Sequence, residues 1–384
     1  ETAKPMGMSQ EDVITIETAS GSVEAPVYLS ELAAPGLVVM SIGQGHQSNG
    51  MNTAVSGINP LRLLASDTYF ESGGASLSAN GVTIKRTGTT LKLACTAGSL
   101  TQHGRTFALS IDSAALADHA KPHKSGLTMG HFPLTLPLPE GYDPKRDVYP
   151  AHDHDTYRWG MVVDLDRCIG CNACAAACYA ENNIGIVGVK RVLEGREMAW
   201  MSVERYHSER AMEKVTFLPM MCQHCDNAPC EAVCPVYAPH HSKEGLNNQI
   251  YNRCIGTRYC VQNCPYKVRR FNWYTWKWPE PMNLQLNPDV TVRSKGVMEK
   301  CSFCIQRIKS ARNVAMNENR TIRDGEVVPA CVQTCPTEAL VFGNLMDKNS
   351  RVRRLVDDPR AYQALGYLNT KPAVIYLKKV VHTL

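Results

Sequence analysis

The stretch from Asp166 to Cys178 reads Asp-Arg-Cys-Ile-Gly-Cys-Asn-Ala-Cys-Ala-Ala-Ala-Cys, which is the pattern C-x2-C-x2-C-x3-C. This spacing is typical of cysteines that bind iron–sulfur clusters. The first three thiolates hold one cubane cluster from one side, and the fourth usually binds a different cluster. The stretch therefore predicts that the surrounding domain contains more than one cluster. Its cysteines are Cys168, Cys171, Cys174 and Cys178.

Three more cysteine groups follow, and each ends in Cys-Pro, as the ligand pattern of bacterial ferredoxins does. The third group of the chain has Thr257 where its second cysteine is expected, so the four groups hold fifteen of the sixteen cysteines. These groups are Cys222-x2-Cys225-x4-Cys230-x3-Cys234-Pro235, then Cys254-x2-Thr257-x2-Cys260-x3-Cys264-Pro265, and Cys301-x2-Cys304 followed after an insertion by Cys331-x3-Cys335-Pro336.

Two other uses of cysteine fit this spacing poorly. Structural zinc sites take four ligands, usually from two C-x2-C pairs, and the triplet at Cys168, Cys171 and Cys174 does not match that arrangement. Disulfides suit small secreted scaffolds rather than closely spaced C-x2-C runs in a large chain. The chain has no C-x-x-C-H motif, so covalent haem is not indicated. We keep a structural zinc protein as the competing hypothesis from another class.

The ligand sets follow from the way partner groups of ferredoxins exchange their last cysteines. The long separation of the first and fourth groups favours nested pairing, first with fourth and second with third. Threonine is a poor ligand for iron, so the set that contains Thr257 is predicted to bind [3Fe-4S] with a vacant corner there. The predicted sets are Cys168, Cys171, Cys174, Cys335 ([4Fe-4S]); Cys301, Cys304, Cys331, Cys178 ([4Fe-4S]); Cys222, Cys225, Cys230, Cys264 ([4Fe-4S]); and Cys234, Cys254, Cys260 ([3Fe-4S]).

Length and charge restrict the remaining possibilities. A chain of 384 residues favours two domains, and a formal charge of +5 does not argue for nucleic acid. No apolar run approaches the ~20 residues of a membrane span, and no signal peptide is visible. Basic side chains near the cysteines either offset the cluster charge and raise reduction potentials or form a solvated face, and both interpretations stay open. They are Arg167, Arg253, Arg258, Lys267, Arg269, Arg270 and Lys300.

The first part of the chain has a strand-like pattern that predicts a small β-rich domain, with a barrel as its architecture. Cys95 is expected there as a buried structural thiol. Prolines then interrupt the connector at 118–156, whose His-Asp-His-Asp at 152–155 is interpreted as a polar linker end, with a metal site as the alternative. The predicted strands are Val13–Ile16, Ser22–Leu29, Leu37–Ile42, Val82–Lys85 and Leu91–Ala94.

The first part also resembles the C-terminal domain of molybdopterin oxidoreductases. The likeness rests on Gly21-Ser-Val-Glu-Ala-Pro-Val, Pro35-Gly36 and Gly57-Ile-Asn-Pro60. In that family the domain is a double-psi barrel that grips a molybdopterin dinucleotide. Its first strand is truncated here and no molybdenum ligand stands in its usual setting, so we expect no molybdopterin on this chain.

The cysteine half resembles the four-cluster electron-transfer subunits of dimethyl sulfoxide, polysulfide and nitrate reductases. Met221-Cys-Gln-His-Cys, Tyr251-Asn-Arg-Cys-Ile-Gly-Thr-Arg-Tyr-Cys and Asn263-Cys-Pro-Tyr-Lys-Val-Arg-Arg-Phe-Asn, together with the fused domain order, are similar to the iron–sulfur subunit of alternative complex III. The resemblance implies electron transfer from quinol to a cytochrome c type acceptor. It also implies an integral-membrane quinol subunit of the polysulfide-reductase type and haem c subunits as partners, and a peripheral position at the periplasmic face of a bacterial inner membrane. An electron-transfer subunit of a molybdopterin-dependent reductase is the alternative.

These observations predict an α+β chain in three parts, without catalytic residues of its own. They are a double-psi-like β domain at 1–117, the connector at 118–156, and a four-cluster domain of two nested ferredoxin-like halves at 157–384. The aromatic and basic run from Tyr266 to Trp278 is interpreted as a docking surface for a membrane partner, with core packing as the alternative.

Overall fold

The computed structural model describes residues 2–30, 33–45, 57–66, 72–119, 149, 152, 154–207 and 215–382. The chain divides into two compact units, Glu1–Cys95 and Thr96–Leu384. In the first unit the regular elements among the described residues are β1 (Asp12–Thr18), β2 (Gly21–Pro26), β3 (Thr83–Thr90) and a 3₁₀ helix (Pro60–Leu63).

The first unit contains an antiparallel sheet in the order β2-β1-β3. Side chains alternate across a strand, so Ile14 and Ile16 of β1 and Val23 of β2 face the same side, where Leu63 completes a small core. The predicted strands at Val13–Ile16, Ser22–Leu29 and Val82–Lys85 are therefore confirmed in their central parts. Closure into a double-psi barrel stays a prediction.

Three predictions for the first unit are wrong. Residues 37–42 and 91–94 form no strand, and Leu37, Val39 and Ile42 expose their side chains. β-branched residues favour a strand only where a neighbouring strand and a buried face are present, and these runs have no buried face. Cys95 is exposed rather than buried, because it follows β3 in an irregular stretch outside the small core.

The second unit is α+β and built from short elements. Its strands are β4 (Ser110–Asp112), β5 (Trp159–Asp164), β6 (Met201–His207), β7 (Val215–Met221), β8 (Pro239–His241), β9 (Asn247–Gln249), β10 (Arg270–Phe271), β11 (Met298–Glu299), β12 (Leu340–Asn344), β13 (Ala361–Tyr362), β14 (Val374–Leu377) and β15 (Lys379–Val381). Its helices are α1 (Ser113–His119), α2 (Ala173–Glu181), α3 (Gly188–Leu193), α4 (Pro229–Ala232), α5 (Tyr259–Asn263), α6 (Ile305–Asn317), α7 (Ala330–Gln333) and α8 (Arg351–Val356), with 3₁₀ turns at Tyr251–Arg253, Met282–Gln285 and Gly366–Leu368.

A four-stranded sheet in the order β12-β5-β14-β13 forms the centre of this unit. β5 pairs with β12 in antiparallel orientation and with β14 in parallel orientation. Met161, Val162 and Val163 of β5 are all buried, because both faces of the sheet are covered. Short strands thus lie beside the first and last cysteine groups. The C-terminal segment supplies the inner strand β14.

Residues 96–112, which the sequence analysis grouped with the first domain, belong to the second unit. β4 pairs with β15 near the other end of the chain. The hydroxyl of Tyr362 donates to the carbonyl oxygen of Phe107 at 2.8 Å, and Phe107 is part of the large core. The roles predicted for the three parts of the chain stay predictions. None of the helices that the described residues form is long and apolar enough to cross a bilayer.

Candidate metal centres

The first predicted set of cysteines converges at one end of the central sheet. Cys168 follows β5 and Cys335 precedes β12, so the antiparallel pairing of these strands brings the two cysteines together. With Cys171 and Cys174 they line one small cavity. The structure thus joins the first and fourth groups across more than 160 residues of sequence.

Helix α2 links this cavity to a second one. It carries Cys174 and Cys178, which are four residues apart and line different cavities. Cys178 meets three cysteines of the fourth group, and the amide of Asn182 donates to its sulfur at 3.6 Å. These three cysteines are Cys301, Cys304 and Cys331.

The third predicted set lines another cavity. Its first cysteine, Cys222, directly follows β7, which pairs with β6. Cys264 comes from the next group and completes the set, as nested pairing predicts. Arg269 and Tyr266, which follow Cys264, line the same cavity. The remaining two cysteines of the set are Cys225 and Cys230.

In the fourth predicted set, Thr257 occupies the place that Cys171 has in the first group. The glycine before each of the two has a φ of 70° or 74°, and the residue after each has a φ of 61° or 63°. A helix then begins in both groups, α2 in one and α5 in the other. The matching backbone makes Thr257 the counterpart of a cysteine. The flanking residues are Gly170 and Asn172 in the first group and Gly256 and Arg258 in the third.

Backbone N–H groups donate to cysteine sulfurs of the fourth predicted set and of the first predicted set. Met298 N donates to Cys254 Sγ at 3.4 Å. Two Cys-Pro loops share a hydrogen bond. In each, the backbone amide four residues after the cysteine donates to the cysteine sulfur, at 3.3 Å in one loop and 3.2 Å in the other. These loops start at Cys234 and Cys335, and their donors are Ala238 and Ala339.

The raised pKa values of the thiols are consistent with sites that bind metal cations. Burial raises the pKa of Cys174, Cys230 and Cys301 to about 12. Neutral thiols are weak ligands, and iron coordination deprotonates them. The structure therefore brings three of the predicted four-cysteine sets around one cavity each, with a donor set that suits iron–sulfur clusters. The binding of iron by each individual cysteine stays a prediction.

The basic residues near the cysteines separate into two kinds. Arg269 and Lys300 are almost fully buried. Arg270 is partly buried and pairs with Glu197 at 2.7 Å. The other four are more accessible and include Arg258, whose guanidinium lies 5.0 Å from the ring centres of Phe271 and Trp273. The solvated-face interpretation thus fits some of these residues and not Arg269 or Lys300. The other accessible ones are Arg167, Arg253 and Lys267.

The sequence analysis singled out His154 within His-Asp-His-Asp at 152–155 but missed the two residues that it meets, Asp226 and His241. Asp226 Oδ1 lies 3.3 Å from His154 Nε2 and 3.0 Å from His241 Nε2, and it also pairs with Arg158 Nη2 at 2.9 Å. No spacing rule links residues 72 positions apart, so the sequence offered no signal. Arg158 neutralises the carboxylate, and the group is a buried hydrogen-bonding hub at the end of the connector. Asp153 of the same motif lies outside the described residues.

Apolar side chains are exposed around the third cysteine group. Ile255 and Tyr259 flank Thr257 and are 66% and 58% exposed, and Trp273 is 40% exposed. The guanidinium of Arg258 stacks on the ring of Trp273. By contrast Tyr266 is buried, and Trp276 packs against the large core. The aromatic run therefore divides between core packing and an exposed surface.

Comparisons with known proteins identify iron–sulfur domains in the cysteine half of the chain. Two family models, each described as a 4Fe-4S dicluster domain, match residues 167–238 and 213–280. The chain is 41% identical over 228 residues to the iron–sulfur cluster-binding subunit of a menaquinone reductase from Nitratidesulfovibrio vulgaris, a match that covers 58% of this chain and 89% of that protein.

Two further relatives are similar over comparable lengths. A putative iron–sulfur subunit of dimethyl sulfoxide reductase from Halobacterium salinarum is 34% identical over 223 residues, which are 57% of this chain and 78% of that protein. An iron–sulfur subunit of an Hdr-like menaquinol oxidoreductase from Archaeoglobus fulgidus is 32% identical over 249 residues, covering 60% of this chain and 86% of that protein.

Proposed function

Because this chain belongs to the family of iron–sulfur subunits of dimethyl sulfoxide reductases and menaquinol oxidoreductases, we propose that it is the electron-transfer subunit of a quinol oxidoreductase. Electrons enter from a quinol-binding membrane subunit and leave to a cytochrome c type acceptor. They pass through three [4Fe-4S] clusters and one [3Fe-4S] cluster. No residue of this chain acts as acid or base on a substrate.

The observation that carries this proposal is the convergence of three four-cysteine sets, each on a cavity of its own. One helix, α2, carries a cysteine of the first set and a cysteine of the second. Cys174 and Cys178 are separated by about 6 Å along the helix axis, so clusters held by the first and second sets would be neighbours and could exchange electrons directly. A series of such sites transfers electrons from one cluster to the next, and this function needs no substrate pocket.

The vacant corner at Thr257 makes the fourth site a [3Fe-4S] cluster. A hydroxyl binds iron more weakly than a thiolate does, and Thr257 stands where the matching backbone of the first group carries Cys171. Cluster type is a main control of reduction potential. We assign this cluster as the first acceptor of electrons from quinol.

The exposed residues around Thr257 form the docking surface for the membrane subunit. Apolar area is exposed beside the fourth site by Ile255, Tyr259 and Trp273. The guanidinium of Arg258 stacks on the ring of Trp273. Aromatic and arginine side chains are enriched at protein interfaces. The partner is an integral-membrane subunit of the polysulfide-reductase type, and the chain is peripheral at the periplasmic face.

The domain order extends the proposal to alternative complex III. A β domain at 1–117 related to the molybdopterin-binding double-psi barrel, a connector at 118–156 and a four-cluster domain at 157–384 make up its fused iron–sulfur subunit. In this proposal the first domain binds no molybdopterin, and haem c subunits receive the electrons.

One alternative is supported by the relatives. The relative from Halobacterium salinarum has a name that refers to dimethyl sulfoxide reductase, so this chain is a candidate electron-transfer subunit of a molybdopterin-dependent reductase. The same clusters would then carry electrons to a molybdenum site on another polypeptide.

Metal and haem analysis of the intact membrane complex separates the two functions. The complex is purified with its native partners in mild detergent, and iron, molybdenum, zinc and haem c are quantified per copy of this chain. We expect haem c and iron without molybdenum. Stoichiometric molybdenum without haem c would instead support the role in a molybdopterin-dependent reductase. Zinc in place of iron would reject both functions.

A further inference from the structure

Arg269 is a buried cation without a carboxylate partner among the described residues. The residue is 2% exposed, and its side chain is among the largest of the fully buried side chains. Its Nη2 donates to Gln249 Oε1. Its Nε and Nη1 have no hydrogen-bond partner within the described ranges.

Of the other buried cations among the described residues of the second unit, two pair with a carboxylate and one donates to a backbone carbonyl oxygen. Arg158 pairs with Asp226 at 2.9 Å, and Arg293 pairs with Glu299 at 2.9 Å. Lys300 donates to the Cys301 carbonyl oxygen at 2.9 Å. An unpaired buried charge is strongly unfavourable, so a site that keeps one has an anionic group to meet it. For Arg269 no carboxylate of the described residues fills that role.

The guanidinium of Arg269 lies near cysteine sulfurs of two predicted sets. Arg269 lines the cavity of the third set together with Cys222 and Cys230. Among the groups that interact with its charge are the sulfurs of Cys230, Cys222 and Cys260. Cys260 belongs to the fourth set, which contains Thr257. The guanidinium also has a side-chain hydrogen bond to Cys260, so Arg269 lies between two predicted cluster sites and meets a sulfur of each.

We propose that Arg269 is a shared counter-cation of the third and fourth clusters and raises the reduction potential of both. Clusters with thiolate ligands are anionic, and each becomes more negative when it accepts an electron. A fixed positive charge in a low-dielectric interior favours the reduced form, and N–H groups directed at cluster sulfur act in the same direction. Arg269 is a positioning and electrostatic residue, and it transfers no electron itself. This inference rests on the proposed cluster assignment.

The test replaces Arg269 in the full complex and measures cluster potentials by redox titration with electron paramagnetic resonance. Arg269→Met removes the charge and keeps an apolar side chain, and Arg269→Gln removes the charge but keeps a hydrogen-bonding group. We expect the ratio of reduced to oxidised cluster at a fixed potential to fall about tenfold at the third and fourth sites, which is about 59 mV for one electron. The first and second clusters serve as internal references and stay unchanged.

Arg270→Met is the matched control, because the neighbouring Arg270 pairs with Glu197 and lies outside the cavity of the third set. It should leave all four potentials as in the wild type. Unchanged potentials in both Arg269 variants, or an equal shift of all four clusters, would overturn the proposal.

Assembly of the variants decides the remaining cases. If both neutral variants lose iron from the third and fourth sites while Arg269→Lys retains it, the positive charge is required there and the proposal is supported. If Arg269→Lys loses the same iron, shape rather than charge is decisive and the proposal fails. A wild-type protein without the expected cluster signals would instead defeat the proposed function, before any variant is compared.

Discussion

The rings of His224 and Phe303 stack with their centres 4.0 Å apart and their planes at 26°. Each is the residue before the second cysteine of a C-x2-C pair, in the second and fourth cysteine groups respectively, and the two have φ values of 44° and 54°. Both side chains are almost fully buried. Two groups that take part in different predicted clusters thus meet through corresponding residues, as expected for two nested halves with similar loops.

Replacing Thr257 by cysteine should complete the fourth cluster. The backbone around Thr257 matches that around Cys171, so the new thiol would lie where a ligand is expected. We predict that iron rises from about fifteen to about sixteen atoms per chain and that the three-iron signal of the oxidised protein disappears. The potential of this cluster should fall, and its reduction by quinol should slow.

Thr257→Ser is the control for that substitution, because it keeps the hydroxyl and adds no thiol. It should retain the three-iron signal and the wild-type iron content. About sixteen irons in the fully loaded wild type, without a three-iron signal on oxidation, would show that Thr257 or another group already completes the cubane.

Tyr259→Glu should release the chain from its membrane partner. Tyr259 is 58% exposed beside the fourth site, and a carboxylate there would have to be desolvated in the docked complex. We predict that the variant keeps its iron but is recovered largely in the soluble fraction after gentle membrane washing. Tyr367→Glu is the matched control, since Tyr367 is 56% exposed. Equal retention of both variants on membranes would contradict the proposed docking surface.

Glu299→Gln should destabilise the second unit strongly. Arg293 and Glu299 form a buried ion pair at 2.9 Å, and Glu299 also accepts from Trp200 and Asn272. Removing one charge leaves the guanidinium buried and uncompensated, which costs about 3–5 kcal/mol. The expected result is a lower urea midpoint for the iron-loaded protein.

The surface pair of Arg353 and Asp357 gives the comparison for this effect. Its atoms are also 2.9 Å apart, but the Asp357 side chain is 60% exposed. Asp357→Asn should change stability by only about 0.3–0.5 kcal/mol. If the two substitutions lower the midpoint equally, burial of the first pair does not determine its contribution.

His241→Asn should destabilise the protein more at low pH than at high pH. Burial lowers the pKa of the His241 imidazole, but its hydrogen bond to Asp226 and the carboxylate of Glu231 at 3.4 Å raise it, and the net direction of the pKa is upward. A raised folded-state pKa gives stability that is complete below the unfolded value of about 6.5 and is lost as pH rises through the folded-state pKa. Urea midpoints of variant and wild type near pH 6 and pH 9 provide the measurement.

The control for the histidine prediction is His240→Asn in the same strand, β8. His240 is exposed, so its loss should have a small effect at both pH values. A difference between His241→Asn and wild type that stays constant or grows with pH would contradict the prediction.

Local spacing was sufficient to predict much of the second unit. The four cysteine groups and the counterpart of Cys171 at Thr257 were recognised from residues close together in sequence. In the first unit, pattern alone failed for residues 37–42 and for Cys95. A strand there depends on hydrogen-bonded neighbours and a buried face, and propensity within a short window carries no information about either.

The sequence by itself determined the chemistry of this protein, because cluster ligands have a fixed spacing that short loops must supply. Only the tertiary structure decided which side chains meet across long separations. It made the C-terminal segment an inner strand, joined His154 to Asp226 and His241, and buried Arg269 between two cysteine sets while leaving Arg258 exposed. The physical reason is that burial and charge compensation are properties of the packed interior, to which residues distant in sequence contribute together.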